Sequence, residues 1–468
     1  MMKKGLALIL AVVMTLALVA CGGNNGANNA GGNAGNANAG GNSTADNGGD
    51  AGSDSGEAVT IKVAALESAY EETYPGMWQE VCDAFTAQTG INVELTLERN
   101  LEDVIGAAMQ GGEYPDVIHL ATGREAALTE QFIKDKNIAD ITDVLSMTVP
   151  GEDVTVSDKL AAGFTETSIT NPYGDGKTYL APMFYSPCGL FYNAGLFEEK
   201  GWEVPTTWDE MWELGDKAAA EGISLFTYPT TGYFDTFFPT MMYAAGGADF
   251  FERATHYEEG IWDTPEAQQL FDIIAKLATY TNPITPAQAN DQDFTMNQQL
   301  VLDNKALFMP NGTWIVGEMA DAPRADGFKW GMCPIPAGEG SDPYSYCWFE
   351  QAWIPAGAEN IDAGKQFLAF LYSDTACEIF AKGGAIQPVV GIADMLEGDN
   401  KMFYSIYDNG AKAAMGGFAA YNSVPGLGSV REVFFDPINS LVEGTLTKED
   451  WVASVKAASD QMRANLVG

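Results

Sequence analysis

Past residue 58 the chain switches regularly between two spacings of apolar side chains. Val59, Ile61, Val63 and Ala65 fall at every second position, which predicts a strand with one face turned to a core. Trp78, Val81 and Phe85 then recur at three-to-four spacing between Met77 and Thr89, and Gly90 stands where that helix should end. A second strand is expected over Ile91 to Leu97 and a second helix over Leu101 to Gln110. The turn Gly111-Gly112-Glu113-Tyr114-Pro115 leads to a third strand, Asp116 to Leu120. Strands that alternate with helices build a mainly parallel sheet covered on both faces, so the fold class is α/β.

The middle of the chain repeats the pattern. Thr207 and Glu210 have capping-box spacing behind Pro205, which predicts a helix start with acids in its first turn. Trp208, Met211, Trp212 and Ala219 share one face of that helix, a spacing that reads as core packing, and Gly222 closes it before the strand Ile223 to Phe226. The aromatic stretch 228–238, with Tyr228, Tyr233, Phe234, Phe237 and Phe238, reads as a loop. Helices are expected over 264–280 and 293–303, and another carrying Phe367, Leu368, Phe370 and Leu371. From there to Gly468 the chain reads as helices interrupted by loops.

The amino-terminal end follows different rules. Lys3 and Lys4 precede an apolar run from Leu6 to Ala20, shorter than the roughly 20 residues of a membrane span, so residues 1–20 read as an export signal. Residues 22–57 are mostly Gly, Asn and Ala with four acids, too poor in apolar surface to fold, and read as a tether. Leu18-Val19-Ala20-Cys21 resembles a bacterial lipobox. The resemblance implies lipidation at Cys21, palmitate-type chains, and attachment to a membrane through the anchor only.

Charge narrows the partners. With 64 Asp plus Glu against 24 Lys plus Arg, the net charge is −40, and such a field repels nucleic acid. Besides Cys21 there are five cysteines, without C-x-x-C spacing. Cys333 and Cys347 flank a Pro/Gly-rich loop and could be bridged, but buried free thiols are the expected state for most of the five. Zinc is not supported, and Asp291-Gln292-Asp293 does not match a calcium loop.

Two segments carry a family resemblance. "YPDVIHL" after a helix ending in Gly, and above all "KTYLAPMFYSPCGLFYNAGLFEEKGWEVPTTWDEMWELGDKAAAEGI", resemble extracellular solute-binding proteins of the maltose-binding type. The resemblance runs over essentially all of 58–468. It implies a two-lobed periplasmic-binding-protein type II fold joined by hinge crossings. In it a strand like Tyr179 to Tyr185 leaves one lobe and a strand like Gly189 to Asn193 enters the other. "FKWGMCPIPAGEG" looks like the return crossing. The implied amino-terminal lobe is 58–182 and 323–352, the carboxy-terminal lobe 185–320 and 356–468. "GLFYNAGLFEEKGW" and the 228–238 stretch are similar to binding proteins for N-acetylglucosamine and chitobiose. The function implied is that of the binding subunit of a carbohydrate ABC importer. It is a monomer on the outer face of the cytoplasmic membrane, at a Gram-positive cell surface, handing a neutral mono- or oligosaccharide to permease subunits.

Catalysis leaves no trace of its usual motifs: there is no G-x-S-x-G elbow, P-loop or H-E-x-x-H, and the two histidines, His119 and His256, lie in separate segments. No catalytic residue, cofactor or metal is therefore expected, and His119, alternating with apolar neighbours, reads as structural. A facing pair of carboxylates would suffice for a secreted glycoside hydrolase, which stays as the enzyme alternative; a polyamine or other non-sugar binder is the second. A sugar needs rings for its apolar faces and polar partners for its hydroxyls. The resemblance puts the loops with Glu67, Ser68 and Tyr70, and with Thr122, Gly123 and Arg124, at the cleft. It puts Tyr185 at the hinge, Tyr228 and Tyr233 in the second lobe, Asn311 and Trp314 at an "N-G-T-W" turn, and Trp348 and Glu350 on a return strand. Each aromatic, taken singly, fits a core as well as a ligand contact; Trp314, Tyr233 and Trp348 are the strongest of the set.

Overall fold

A computed structural model describes residues 59–466, apart from 123, 125, 166, 291 and 338–340. The export signal, the tether, Cys21, Gly123 and Asp291 lie outside the described residues. The predicted alternation forms as read. β1 (Thr60–Leu66) lies parallel to β2 (Asn92–Glu98) and to β3 (Val117–His119). The helix Met77–Thr89 ends on Gly90, whose φ of 76° is the left-handed conformation that a side chain would oppose. Thr207 and Glu210 close the capping box that starts the helix Trp208–Ala220.

Two long strands tie the molecule together. β4 (Leu180–Asn193) is one 14-residue strand where the sequence suggested two, and β8 (Tyr344–Trp353) runs antiparallel beside it. With β5 (Ser224–Phe226), β6 (Ala306–Gly312), β7 (Trp330–Cys333) and β9 (Lys412–Ala414) they give the order β2-β1-β3-β8-β4-β6-β5, β7 joining β4 and β9 joining β8. The sheet is thus mixed, its parallel halves meeting at the antiparallel β4/β8 pair. A register irregularity lies on β4 between Pro182 and Tyr185, where the chain passes from one half to the other. Proline has no N–H to give a ladder, so an irregularity at that point costs the sheet little.

Two large cores flank this crossing. One gathers Ile61, Val63, Trp78, Phe85, Phe184, Phe367 and Phe380. The other gathers Trp208, Trp212, Phe226, Phe238, Phe271, Phe308 and Trp451. The packing departs from the expected lobe boundaries in two places. The helices Ile361–Phe370 and Asp374–Lys382 bury Phe367, Phe370 and Phe380 against Phe85 and Trp78, so they sit with the amino-terminal strands although 356–468 was assigned to the carboxy-terminal lobe. β7, expected as a return crossing, pairs with Leu190–Asn193 in the second half, and the crossing is made by β8, the expected return strand of Trp348 and Glu350. The 228–238 stretch departs as well: a short turn at Thr231–Tyr233 gives way to the helix Phe234–Thr255, broken at Gly247 with φ 69°.

Cys82, Cys188, Cys333, Cys347 and Cys377 are all buried and unpaired, so Cys333 and Cys347 are not bridged. Burial pushes the thiols of Cys82, Cys333 and Cys377 up to about 12. Among the described residues no helix is long and apolar enough to cross a membrane, and no group of three or more His, Cys, Asp or Glu could hold a metal.

Candidate functional site

Residues directly opposite on antiparallel strands share a face, and so do residues two apart on one strand. Ser186 lies opposite Trp348 and Cys188 opposite Tyr346 on the β4/β8 pair, while Cys188 also lies opposite Gly312 of β6. Ser186, Cys188, Gly312, Tyr346, Trp348 and Glu350 therefore look out from one face of the crossing. Trp348 is 44% exposed although β8 is an inner strand, so the face is open at this ring. A large apolar ring left open inside a sheet is the kind of surface that awaits a ligand.

The indole of Trp314, 37% exposed, forms one wall. It lies flat over Gly312: a Cβ there would stand 2.1 Å from the ring, so only glycine lets the tryptophan rest on the strand. Tyr233 stands 6.4 Å from Trp314, ring to ring. Burial, with Glu318 nearby, pushes the Tyr233 hydroxyl up to about 12. Burial likewise raises Glu318, against the opposing hydrogen bond from Gln298 Nε2 at 2.7 Å. Gly312→Ala should turn the indole out of its bed, seen as a shifted tryptophan emission, at a stability cost of about 1 kcal/mol because a half-exposed ring is free to move. An unchanged emission spectrum would mean that the glycine does not seat the ring.

Toward the first half the floor becomes polar and buried. His119 Nε2 lies 3.0 Å from Glu350 Oε2, and the imidazole is packed 5.1 Å from both Trp78 and Phe184. Burial, followed by the Glu350 charge and Tyr404, holds the Tyr70 hydroxyl well above its ordinary value. Ser186 lies near both Tyr70 and Tyr404, whose hydroxyl donates to the Tyr185 carbonyl at 2.9 Å. A polar chain therefore runs under the face from β3 to the crossing strands.

The structure thus sets Tyr233 beside Trp314 and Tyr70 near Glu350, with Trp348 on the same strand face as Glu350, while the other expected residues are turned to a core or held by protein partners. Tyr185 is buried on the opposite face, its ring among Phe164, Tyr404 and Tyr407, because it sits one residue out of phase with Ser186. Tyr228 is fully buried, its hydroxyl 2.7 Å from Asn439 Oδ1 and its ring against Phe234. Asn311 turns to the side away from Gly312, where its Oδ1 accepts from the Gly312 N–H at 2.9 Å and its Nδ2 is buried without a partner. Arg124 is taken up by Glu102 and Glu67 by Arg99, Ser68 leads into the helix Ala69–Thr73 without capping it, and Thr122 donates to Gln351. Ser186 was missed. It is marked in the sequence as the one hydroxyl-bearing aliphatic residue in LAPMFYSPCGLFYN.

Over residues 68–376 the sequence matches the family described as bacterial extracellular solute-binding protein. It is similar to the diacetylchitobiose binding protein of Streptomyces coelicolor, 29% identical over 203 residues, 42% of each chain. It is also similar to the maltotriose-binding protein of Pyrococcus abyssi, 25% identical over 290 residues, 59% of this chain and 55% of the other. The match therefore spans less than two thirds of either relative. In structure it resembles the solute receptor AcbH, described as exclusive for β-D-galactopyranose, with TM-score 0.65, 18% identity, and coverage of 87% of this chain and 98% of that one. It resembles RafE of Streptococcus pneumoniae at TM-score 0.63, 17% identity, and coverage of 87% and 99%. At such identities the likeness establishes a common fold.

Proposed function

From the premise that the chain belongs to the bacterial extracellular solute-binding protein family, we propose that it captures a sugar, unaltered, on the open face of its crossing strands. The observation that carries this is the pair of exposed indoles, Trp314 and Trp348, standing over a floor of polar groups. Pyranose rings offer apolar faces to such rings and hydroxyls to such floors. Closure of the two halves about β4 and β8 follows from a ligand that touches both, since it favours the state in which it makes more contacts. The partner implied is the permease of an ABC importer, with the chain acting as a monomer outside the cytoplasmic membrane, held there by lipid on Cys21.

A short N-acetylated oligosaccharide is favoured within this reading, supported by the similarity to the diacetylchitobiose binding protein. Titration of the full chain with N,N′-diacetylchitobiose, maltotriose and D-galactose, followed by tryptophan fluorescence and calorimetry, tests it. Saturable binding of at least one, with diacetylchitobiose the tightest, is expected. Absence of binding to all three would overturn the sugar reading. Release of reducing ends from an oligosaccharide faster than in buffer would replace it with the hydrolase.

A further inference from the structure

His119 and Glu350 meet where the open face passes beneath the first core. His119 of β3 lies opposite Ala352 of β8, so Glu350 is its diagonal neighbour on the same face, and Trp348 follows two residues further along that strand. The imidazole is covered: it is 1% exposed and lies 5.1 Å from the rings of Trp78 and Phe184. Trp348 is 44% exposed. Glu350 therefore stands on the border between covered sheet and open groove, with 10% of its side chain still at the surface.

The neighbouring strand is shaped around this carboxylate. Pro182 of β4 pairs with Gln351 and Tyr185 with Phe349, so Met183 and Phe184 together stand against Glu350 alone. Two residues against one is the count of a β-bulge, a feature that re-aims side chains. Here it sets Phe184, itself 1% exposed, against the imidazole. A ring wedged between Trp78 and Phe184 keeps its orientation toward Glu350.

The pair is nevertheless incomplete. His119 Nε2 lies 3.0 Å from Glu350 Oε2 but out of line for a hydrogen bond, and neither these atoms nor His119 Nδ1 finds another partner among the described residues. Buried polar atoms in that state cost stability that apolar side chains of the same shape would not. Folded chains carry such conflicts mainly where a site is held ready for use.

We propose that His119 is a positioning residue: it holds Oε2 of Glu350 at the floor of the groove, so that Oε1 accepts a hydrogen bond from a hydroxyl or amide N–H of a sugar lying against Trp348. The assignment rests on the sugar-binding reading above and gives that site its anchoring acceptor. A carboxylate has two accepting oxygens, and an imidazole that engages one leaves the other to the ligand. A carboxylate ordered beforehand also spares the ligand the entropy of ordering it.

Glu350→Gln keeps the shape and removes the charge, while His119→Phe keeps a ring between Trp78 and Phe184 and removes the nitrogens. N,N′-diacetylchitobiose, maltotriose and D-galactose serve as probes on the full chain. Each single variant should bind the tightest of these sugars roughly tenfold more weakly than the original. The double variant should bind it no more than about twofold more weakly than Glu350→Gln alone, because the imidazole acts through the carboxylate. Packing alone would let His119→Phe bind within about twofold of the original. That result overturns the assignment, as do losses that multiply in the double variant or a Glu350→Gln chain that binds within about twofold, and in each case the sugar reading stands. If His119→Phe by itself fails to fold, the double variant decides: a fold recovered by removing the Glu350 charge supports the pairing, and continued failure overturns it. If the unsubstituted chain binds none of the three sugars, the sugar reading falls and the assignment falls with it.

Discussion

Trp348→Ala and Trp314→Ala, combined, should weaken sugar binding by roughly a thousandfold while the chain stays folded. A central tryptophan contributes about 2 kcal/mol to an interface, each 1.4 kcal/mol is tenfold, and Trp348 lies on β8 while Trp314 follows the end of β6, so the losses should add to about 4 kcal/mol. Both indoles are more than one-third exposed, so truncating each should cost the fold about 1–2 kcal/mol, less than the loss of a core tryptophan. Each single variant should lose about thirtyfold by titration. If both singles bound within about threefold of the original, the exposed rings would have another purpose and the proposed site would be misplaced.

Trp78→Ala should do the reverse, costing about 3–5 kcal/mol of stability while leaving Trp314 and Trp348 in place. Trp78 is 1% exposed and lies 5.1 Å from His119, 5.0 Å from Phe380 and 6.1 Å from Phe184, ring to ring. Its loss would leave a cavity under β3 and open water to the His119–Glu350 pair, both of whose members are buried. The midpoint of urea unfolding should fall markedly with little change in slope. A cost below about 1 kcal/mol would show that this aromatic cluster does not hold the first core to the crossing strands.

What the sequence revealed was mostly what is local. Alternation of Ile61, Val63 and Ala65, the Thr207/Glu210 box and the stop at Gly90 each depend on a few neighbouring residues, and each formed as read. The two strands that the resemblance implies, Tyr179 to Tyr185 and Gly189 to Asn193, are joined in β4, because a central antiparallel pair with a register irregularity tolerates Pro182, Pro187 and Gly189. The helix from Phe234 was hidden by Pro239 within it and the glycine pair near its kink.

The site was legible in residue type and not in direction. Tyr185 and Ser186 are adjacent, yet one faces a core and the other the groove, a phase set by pairing with Phe349 and Trp348 more than 160 positions on. Tyr228 and Tyr233 lie in one aromatic stretch, and only the second comes to stand beside Trp314. Whether a ring is core or platform depends on which helices roof the sheet, and that is decided by contacts across the whole chain.

The five sealed thiols carry a consequence for life outside the cell. Thiols enclosed in this way are shielded from oxidants by the fold itself. The hazard is confined to the minutes of chain maturation, before the two cores close. Rapid, orderly collapse is then a chemical safeguard as well as a structural one.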